Sequence, residues 1–345
     1  MKGNNSFSKK SHHDSQAPRT SACGASYWDS RAHEFVAQEN HRYYADVFLG
    51  KCNLHPKDVV FDMGCGAGSL AVPFVEAGYT VIAADFSPAM LELLYADMKK
   101  RGLSVCSPGE GYQVLSREFF RNQITDFAQV KITSSAASCK TPGRCIPIQL
   151  AWDDDWEAMG LRENMVDVAI ASRSWATKNY QYAIANLTRL AKRRVCVTVA
   201  GQIFPNVNQE VMELIGLACP GPYESDRVTS AARAMGYNPQ AELIALTRTE
   251  YFESTQQAWE KYLAMIERVA SARNYSDHEI KMAQENLKEW LHVHLIESTQ
   301  QVDLSNGGVE QQQGVSGFVS DSIKKYVIDV PRINRWVFIS WDARA

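Results

Sequence analysis

Apolar and polar positions in this chain switch between a helical period and short apolar runs. Between residues 27 and 50, Tyr27, Trp28, Ala32, Phe35, Val36, Tyr43, Tyr44, Val47 and Phe48 recur at three-and-four spacing, which predicts helix. Lys57 to Gly64 is almost continuously apolar, as a strand covered on both faces should be. A helix is predicted over Ser69 to Ala77 with Gly78 as its stop, followed by a second strand at Thr80 to Asp85. Ser87-Pro88 supplies an N-cap and a first-turn proline for a helix reaching about Lys100. Residues 103–145 then read as an insertion, because a βα unit usually needs only about 2–6 residues there. Within it 112–130 has a helical pattern and 134–144 is rich in Ser, Ala, Thr, Pro and Gly.

Alternation resumes with strands at Ile146–Leu150 and Val166–Ser172, a helix at Asn179–Ala191 and a strand at Arg194–Ala200. A proline-bearing loop leads to a helix over Glu224–Met235, a strand over Glu242–Phe252, and paired helices at 255–270 and 277–297 that meet near Asn274. A polar stretch at 303–317 precedes a β-forming run, Arg335 to Trp341. The order predicts an α/β fold, a mostly parallel sheet with helices on both faces. Right-handed crossovers put the carboxyl ends of the parallel strands on one edge, where ligands bind in such folds.

The first strand ends Val59-Val60-Phe61-Asp62-Met63 and runs into Gly64-Cys65-Gly66-Ala67-Gly68-Ser69-Leu70, and the second closes on Asp85. Two strands, a glycine turn and two acids outline a nucleoside-binding βαβ unit. A dinucleotide fingerprint is Gly-x-Gly-x-x-Gly, and here Ser69 stands where its third glycine belongs. Asp62 also suits a pyrophosphate poorly, since it adds negative charge beside a helix N-terminus that would otherwise attract a phosphate. An acid there suits a cationic group, such as the ammonium or sulfonium of S-adenosylmethionine. Asp85, about 20 residues on, is placed to accept hydrogen bonds from ribose hydroxyls.

Composition adds exclusions. The chain is 45% hydrophobic and 22% charged with a net charge of −3, so a basic nucleic-acid surface is not expected. Its apolar runs are too short for a membrane helix, and residues 1–25 are polar, read as a disordered tail without a signal-peptide core. None of the eight cysteines forms a Cys-x-x-Cys pair, so no metal site is expected and reduced thiols in a cytoplasmic protein are the ordinary reading.

Val59 to Leu70 resembles the first motif of class I S-adenosylmethionine-dependent methyltransferases, and the similarity extends over most of the chain from about Tyr27. It looks most like the small-molecule branch that includes ubiquinone and menaquinone C-methyltransferases. The resemblance implies a Rossmann-like sheet of seven strands in the order 3-2-1-4-5-7-6, the seventh antiparallel, in one domain over 26–345 with helical insertions at 103–145 and 255–298. Gly64 and Gly66 would let the backbone approach the methionine part, flanked by Asp62, Cys65 and Ser69. Asp85 would hold the ribose, with Phe86 beside the adenine and Ser87 and Met90 adjoining. In Ala151-Trp152-Asp153-Asp154-Asp155-Trp156, Asp153 would accept from the adenine amino group, with Asp154 one position away in register. Tyr27-Trp28-Asp29-Ser30-Arg31-Ala32 resembles the helix that folds over the cofactor in this branch.

The acceptor would sit over Ser172-Arg173-Ser174-Trp175-Ala176-Thr177-Lys178. This run lacks the Asn/Asp-Pro-Pro-aromatic sequence of enzymes that methylate amino groups of DNA bases. Ser172 and Arg173 would border the cofactor; Arg173, Trp175, Lys178, Trp28 and Tyr223 are the candidate acceptor contacts. Arg173 pairing with an acid and Trp175 packing in the core is the plainer alternative. His292, His294, Tyr180, Tyr182 and Tyr223 are candidate bases, none singled out, and the two histidines at i and i+2 face apart. The partner expected is a small-molecule methyl acceptor, without nucleic acid or membrane, and a homodimer is compatible. Alternatives are a cofactor-binding protein without turnover, a methyltransferase of a protein substrate, and a nicotinamide-dependent oxidoreductase.

Overall fold

The computed structural model describes residues 28–29, 41–106, 143–175, 177–204, 207–218, 221, 223–298 and 325–344. Tyr27, the tail, the helical pattern at 112–130 and the polar stretch at 303–317 lie outside the described residues. Helix α1 (His41–Lys51) precedes β1 (Val59–Met63), α2 (Ala71–Glu76), β2 (Thr80–Asp85) and α3 (Pro88–Lys100). After β3 (Ser104–Val105) come β4 (Arg144–Gln149), β5 (Val166–Ser172), α4 (Tyr180–Leu190) and β6 (Ala191–Ala200). The chain continues through α5 (Gln209–Leu214), α6 (Glu224–Ala234), β7 (Gln240–Arg248), β8 (Tyr251–Phe252), α7 (Thr255–Arg273) and α8 (Asp277–His294). It closes with β9 (Leu295–Glu297), β10 (Tyr326–Ile328) and β11 (Arg332–Asp342).

The main sheet has the order β3-β4-β2-β1-β5-β6-β11-β7. Without the two-residue β3 on its edge, this is the expected 3-2-1-4-5-7-6, and β11 runs antiparallel to both β6 and β7. Pro147 sits in β4 beyond the short reach of β3, where the strand has an open edge and a missing N–H costs no ladder bond.

Alternate residues of the buried strands serve two separate cores. Phe61, Ala169, Val195, Val197 and Ile339 meet α4 and α6 on one face. Val60, Val168, Ile170, Cys196 and Phe338 meet α1, α2 and α3 on the other. A third core joins α5, α7 and α8 to β8 and β10 around Tyr262, Ile266 and Leu287. Cys52, Cys65, Cys106, Cys145 and Cys196 are buried free thiols that fill these cores as small apolar groups.

Several boundaries differ from the expectation. The predicted helix at Ser69 begins only at Ala71, because the glycine turn continues through Leu70. Glu242–Phe252 is two strands instead of one, because the chain breaks between β7 and β8 to turn the Glu250 carboxyl inward. Helix α5 stands in the predicted loop after β6, capped by Asn208 Oδ1 accepting from Val211 N.

Candidate functional site

The site is built on the carboxyl ends of β1, β2 and β5. Gly64, Gly66 and Gly68 have φ of 73°, 53° and 94°, the left-handed region that side chains other than glycine disfavour. Gly64 N and Cys65 N both donate to Ala84 O, at 2.7 and 2.9 Å, so the turn hangs from the end of β2. A Cβ on Gly64 would overlap the side chain of Ser174, which itself donates to Met63 O at 2.6 Å. A Cβ on Gly66 would meet nothing within 4 Å. The first glycine therefore makes room for protein, and the second leaves open space for something else.

Two carboxylates face this turn. Asp85, 5% exposed, accepts from Gly66 N through Oδ2 at 2.8 Å and from Ser87 N through Oδ1 at 2.9 Å. Burial still raises its pKa against those hydrogen bonds, and nearby Asp29 adds to the rise. Asp62, 2% exposed, has a buried Oδ2 without a hydrogen-bond partner among the described residues. Burial first, and the charge of Asp85 second, push its carboxyl up to about 7. Buried carboxylates crowded together without a cation are costly to ionise, and a positively charged ligand group would relieve that cost.

A third acid, Asp29, was not singled out by the sequence. Ser87 Oγ donates to Asp29 Oδ1 at 2.5 Å while accepting from Met90 N at 3.2 Å as the cap of α3. The Trp28–Asp29 segment thus rests on the corner between β2 and α3, with Trp28 half-buried. Phe86 and Ser69 are half-buried at this corner and turn, Met90 and Cys65 are buried beneath them, and burial holds the Cys65 thiol far above its ordinary pKa. Gln149, also unforeseen, donates to Phe86 O at 3.3 Å.

The acidic run after β4 divides its labour. Asp154 Oδ2 accepts from Ala151 N at 2.7 Å, and Asp155 Oδ1 accepts from Glu157 N and Ala158 N at 3.1 Å each, so both shape the turn. Asp153 is exposed, and Thr177 Oγ1 donates to its Oδ1 at 3.1 Å from across the site.

On the acceptor side, Ser172 Oγ, Thr198 Oγ1 and the Tyr44 hydroxyl form a closed triangle with edges of 2.6, 2.6 and 3.0 Å. Burial raises the pKa of Tyr44, partly offset by Arg173. Arg173, at φ 56°, lays its guanidinium over the Tyr44 ring at 4.3 Å and the Trp336 ring at 5.5 Å. Trp175 is 7% exposed and packs between Trp152 at 5.1 Å and Tyr180 at 5.9 Å, and among the described residues its buried Nε1 has no hydrogen-bond partner. Lys178 is exposed just beyond. Tyr223 caps α6 nearby, its backbone N donating to Asp226 Oδ2 at 3.1 Å. His292 and His294 do not join this group. They lie on α8, His292 exposed and His294 Nδ1 2.8 Å from Asp329 Oδ1.

Residues 60–107, which run from β1 past the glycine turn to β3, match a family model described as a methyltransferase domain. The segment that carries the glycine turn and both acids is thus similar to a methyltransferase domain. Two curated proteins are similar to parts of it. An uncharacterized protein of Haemophilus influenzae is 27% identical over 173 residues, 50% of this chain and 48% of that one. A probable cobalt-precorrin-6B C(15)-methyltransferase (decarboxylating) of Methanococcus maripaludis is 32% identical over 80 residues, 23% of this chain and 44% of that one. The chain thus spans about half the length of the curated relatives it matches. Among solved structures, a phosphoethanolamine N-methyltransferase 2 of Haemonchus contortus, in complex with phosphomonomethylethanolamine and S-adenosylhomocysteine, has a TM-score of 0.42 at 12% identity, covering 92% of this chain and 57% of that one. The strand order itself, with an antiparallel β11 between β6 and β7, carries the assignment of a Rossmann-like fold.

Proposed function

We propose that this protein transfers a methyl group from S-adenosylmethionine to a small-molecule acceptor, acting in the cytoplasm. The observation that carries the reading is the pairing of an open Gly66 with the buried Oδ2 of Asp62, which has no hydrogen-bond partner among the described residues. S-adenosylmethionine fits these residues: it brings an ammonium and a sulfonium to a place rich in buried negative charge. Asp85 uses one lone pair on each oxygen for the turn and has another on each for ribose hydroxyls. Asp153, oriented by Thr177, supports the adenine edge, and Phe86 its face.

When bound, this cofactor supplies a methyl group already activated on sulfur. The chain's share is then to align the acceptor and to exclude water. Tyr44 and Tyr180 are both held above the ordinary tyrosine pKa, chiefly by burial, which makes them poor bases at neutral pH. This favours an acceptor atom that is nucleophilic without deprotonation by the protein.

The test is calorimetric titration with S-adenosylmethionine and S-adenosylhomocysteine. Saturable binding of both is expected, weakened roughly tenfold to a hundredfold in Asp85→Ala, in keeping with the loss of charge-assisted hydrogen bonds. Absence of binding by either compound overturns the proposal, as would tighter binding of NADH.

A further inference from the structure

A second charged group lies on the same carboxyl edge, at the far end of the sheet. Arg248 ends β7 and is the register partner of Arg332, which opens β11. Directly opposed residues of an antiparallel pair share a face. Asn334 and Trp336 follow at alternate positions on that face, and Trp336 carries the Arg173 guanidinium.

Behind the two arginines, Glu250 is fully engaged. Lys261 Nζ donates to its Oε1 at 2.6 Å, Arg332 Nη1 stands 3.6 Å from the same oxygen, and the Tyr262 hydroxyl donates to Oε2 at 2.7 Å. Arg332 Nη2 also donates to Val207 O at 3.3 Å. Arg248 differs. Among the described residues Arg332 shares with it only a buried Nε that lacks a hydrogen-bond partner, whereas the Arg248 guanidinium as a whole makes no hydrogen bond or ion pair. Burial lowers its pKa, and Arg332 lowers it further against the pull of Glu250. Among the described residues Glu250, shared with two other cations, is the one carboxylate acting on this half-buried guanidinium. Its planar fork suits an oxyanion, which it can bind through two parallel N–H donors.

We infer that Arg248, with Arg332 beside it, is the binding site for an oxyanion, a carboxylate or phosphate, carried by the methyl acceptor. The word acceptor rests on the function proposed above; the anion site rests on this cluster alone. From β5, where the methyl would be delivered, to β7 is three strand spacings, about 14 Å. Trp336 lies between. The acceptor class is therefore elongated, with an apolar middle and an anionic end remote from the methylated atom.

The test uses the full chain and three probes of one length, kept below their micelle concentration: decyl phosphate, decanoate and decanol. Saturable binding of at least one anionic probe is expected by calorimetry, weakened roughly tenfold in Arg248→Gln and largely restored in Arg248→Lys. Arg233→Gln, an exposed position on α6, should bind as the wild type does. Because Arg248 makes no hydrogen bond or ion pair among the described residues, Arg248→Gln should melt at or above the wild-type temperature, which a merely structural arginine would not do. Phosphate against decanoate tells which oxyanion is preferred. Equal binding by Arg248→Gln, or decanol binding as tightly as the anions, overturns the inference. S-adenosylhomocysteine is titrated into the same samples. If it binds and the anions do not, the anion site alone falls; if the anions bind through Arg248 and it does not, only the methyl-transfer reading falls.

Discussion

Asp62 links the charge of the site to the stability of the fold. Its carboxyl titrates at about 7 when folded and near 3.8 when not, so between these values the folded chain holds the proton more tightly. Stability from this group is full below the unfolded value and is lost as pH rises through about 7, by at most about 4 kcal/mol. Thermal melts of the ligand-free protein should therefore show Asp62→Asn gaining on the wild type between pH 5 and pH 8; a constant difference would mean that Asp62 is not buried as described. A cationic ligand prefers the ionised carboxylate, so affinity for S-adenosylmethionine should rise roughly tenfold from pH 6 to pH 8. The neighbouring glycines separate protein from ligand in the same way. Gly64→Ala must push Ser174 aside in addition to its own left-handed backbone cost, and should lower stability by about 2–5 kcal/mol. Gly66→Ala meets open space and should cost about 1–2 kcal/mol for its left-handed backbone, yet lose most cofactor affinity. Denaturant titration beside calorimetry reads both effects, and equal losses of affinity would contradict the assignment.

At the scale of elements, legibility in the sequence followed how local the cause was. Ser87-Pro88 announced α3 because cap and first-turn proline are neighbours, and β5 was bounded correctly because its apolar run needs no distant partner. The break between β7 and β8 was hidden. Glu250 looks like a polar position in an exposed strand until Lys261, Tyr262 and Arg332 come from other elements to bury it. Asp29 was hidden for a similar reason: its role depends on Ser87, far along the chain. Asp153 could be separated from Asp154 and Asp155 only by seeing which backbone N–H groups the latter two bind. Two element-level outcomes follow. Ser87→Ala removes both the α3 cap and the anchor of the Trp28–Asp29 segment, and should cost about 1 kcal/mol in stability by denaturant titration. Glu250→Gln leaves a buried Arg332 and a half-buried Lys261 beside a neutral group and should cost about 3 kcal/mol, seen as a markedly lowered melting temperature.

For the whole molecule, the sequence carried the sheet order through its resemblance to a family, while the third core and the three-stranded sheet β8-β10-β9 had no counterpart in that pattern. The cluster around Glu250 lies where these added elements meet the main sheet, since Arg332 belongs to β11 and Tyr262 to α7. The extra elements therefore shape the far end of the carboxyl edge.

The place of β11 has a consequence for how the chain is made. During synthesis β6 and β7 emerge well before the strand that lies between them. Until Arg332–Asp342 is released, β6 has an open hydrogen-bonding edge and β7 has no neighbour in the main sheet. Such an edge is a template for wrong pairing. A nascent chain stopped after Ile328 should be held by chaperones or aggregate, and adding the missing strand as a separate peptide should rescue it, as one half of a split protein completes the other.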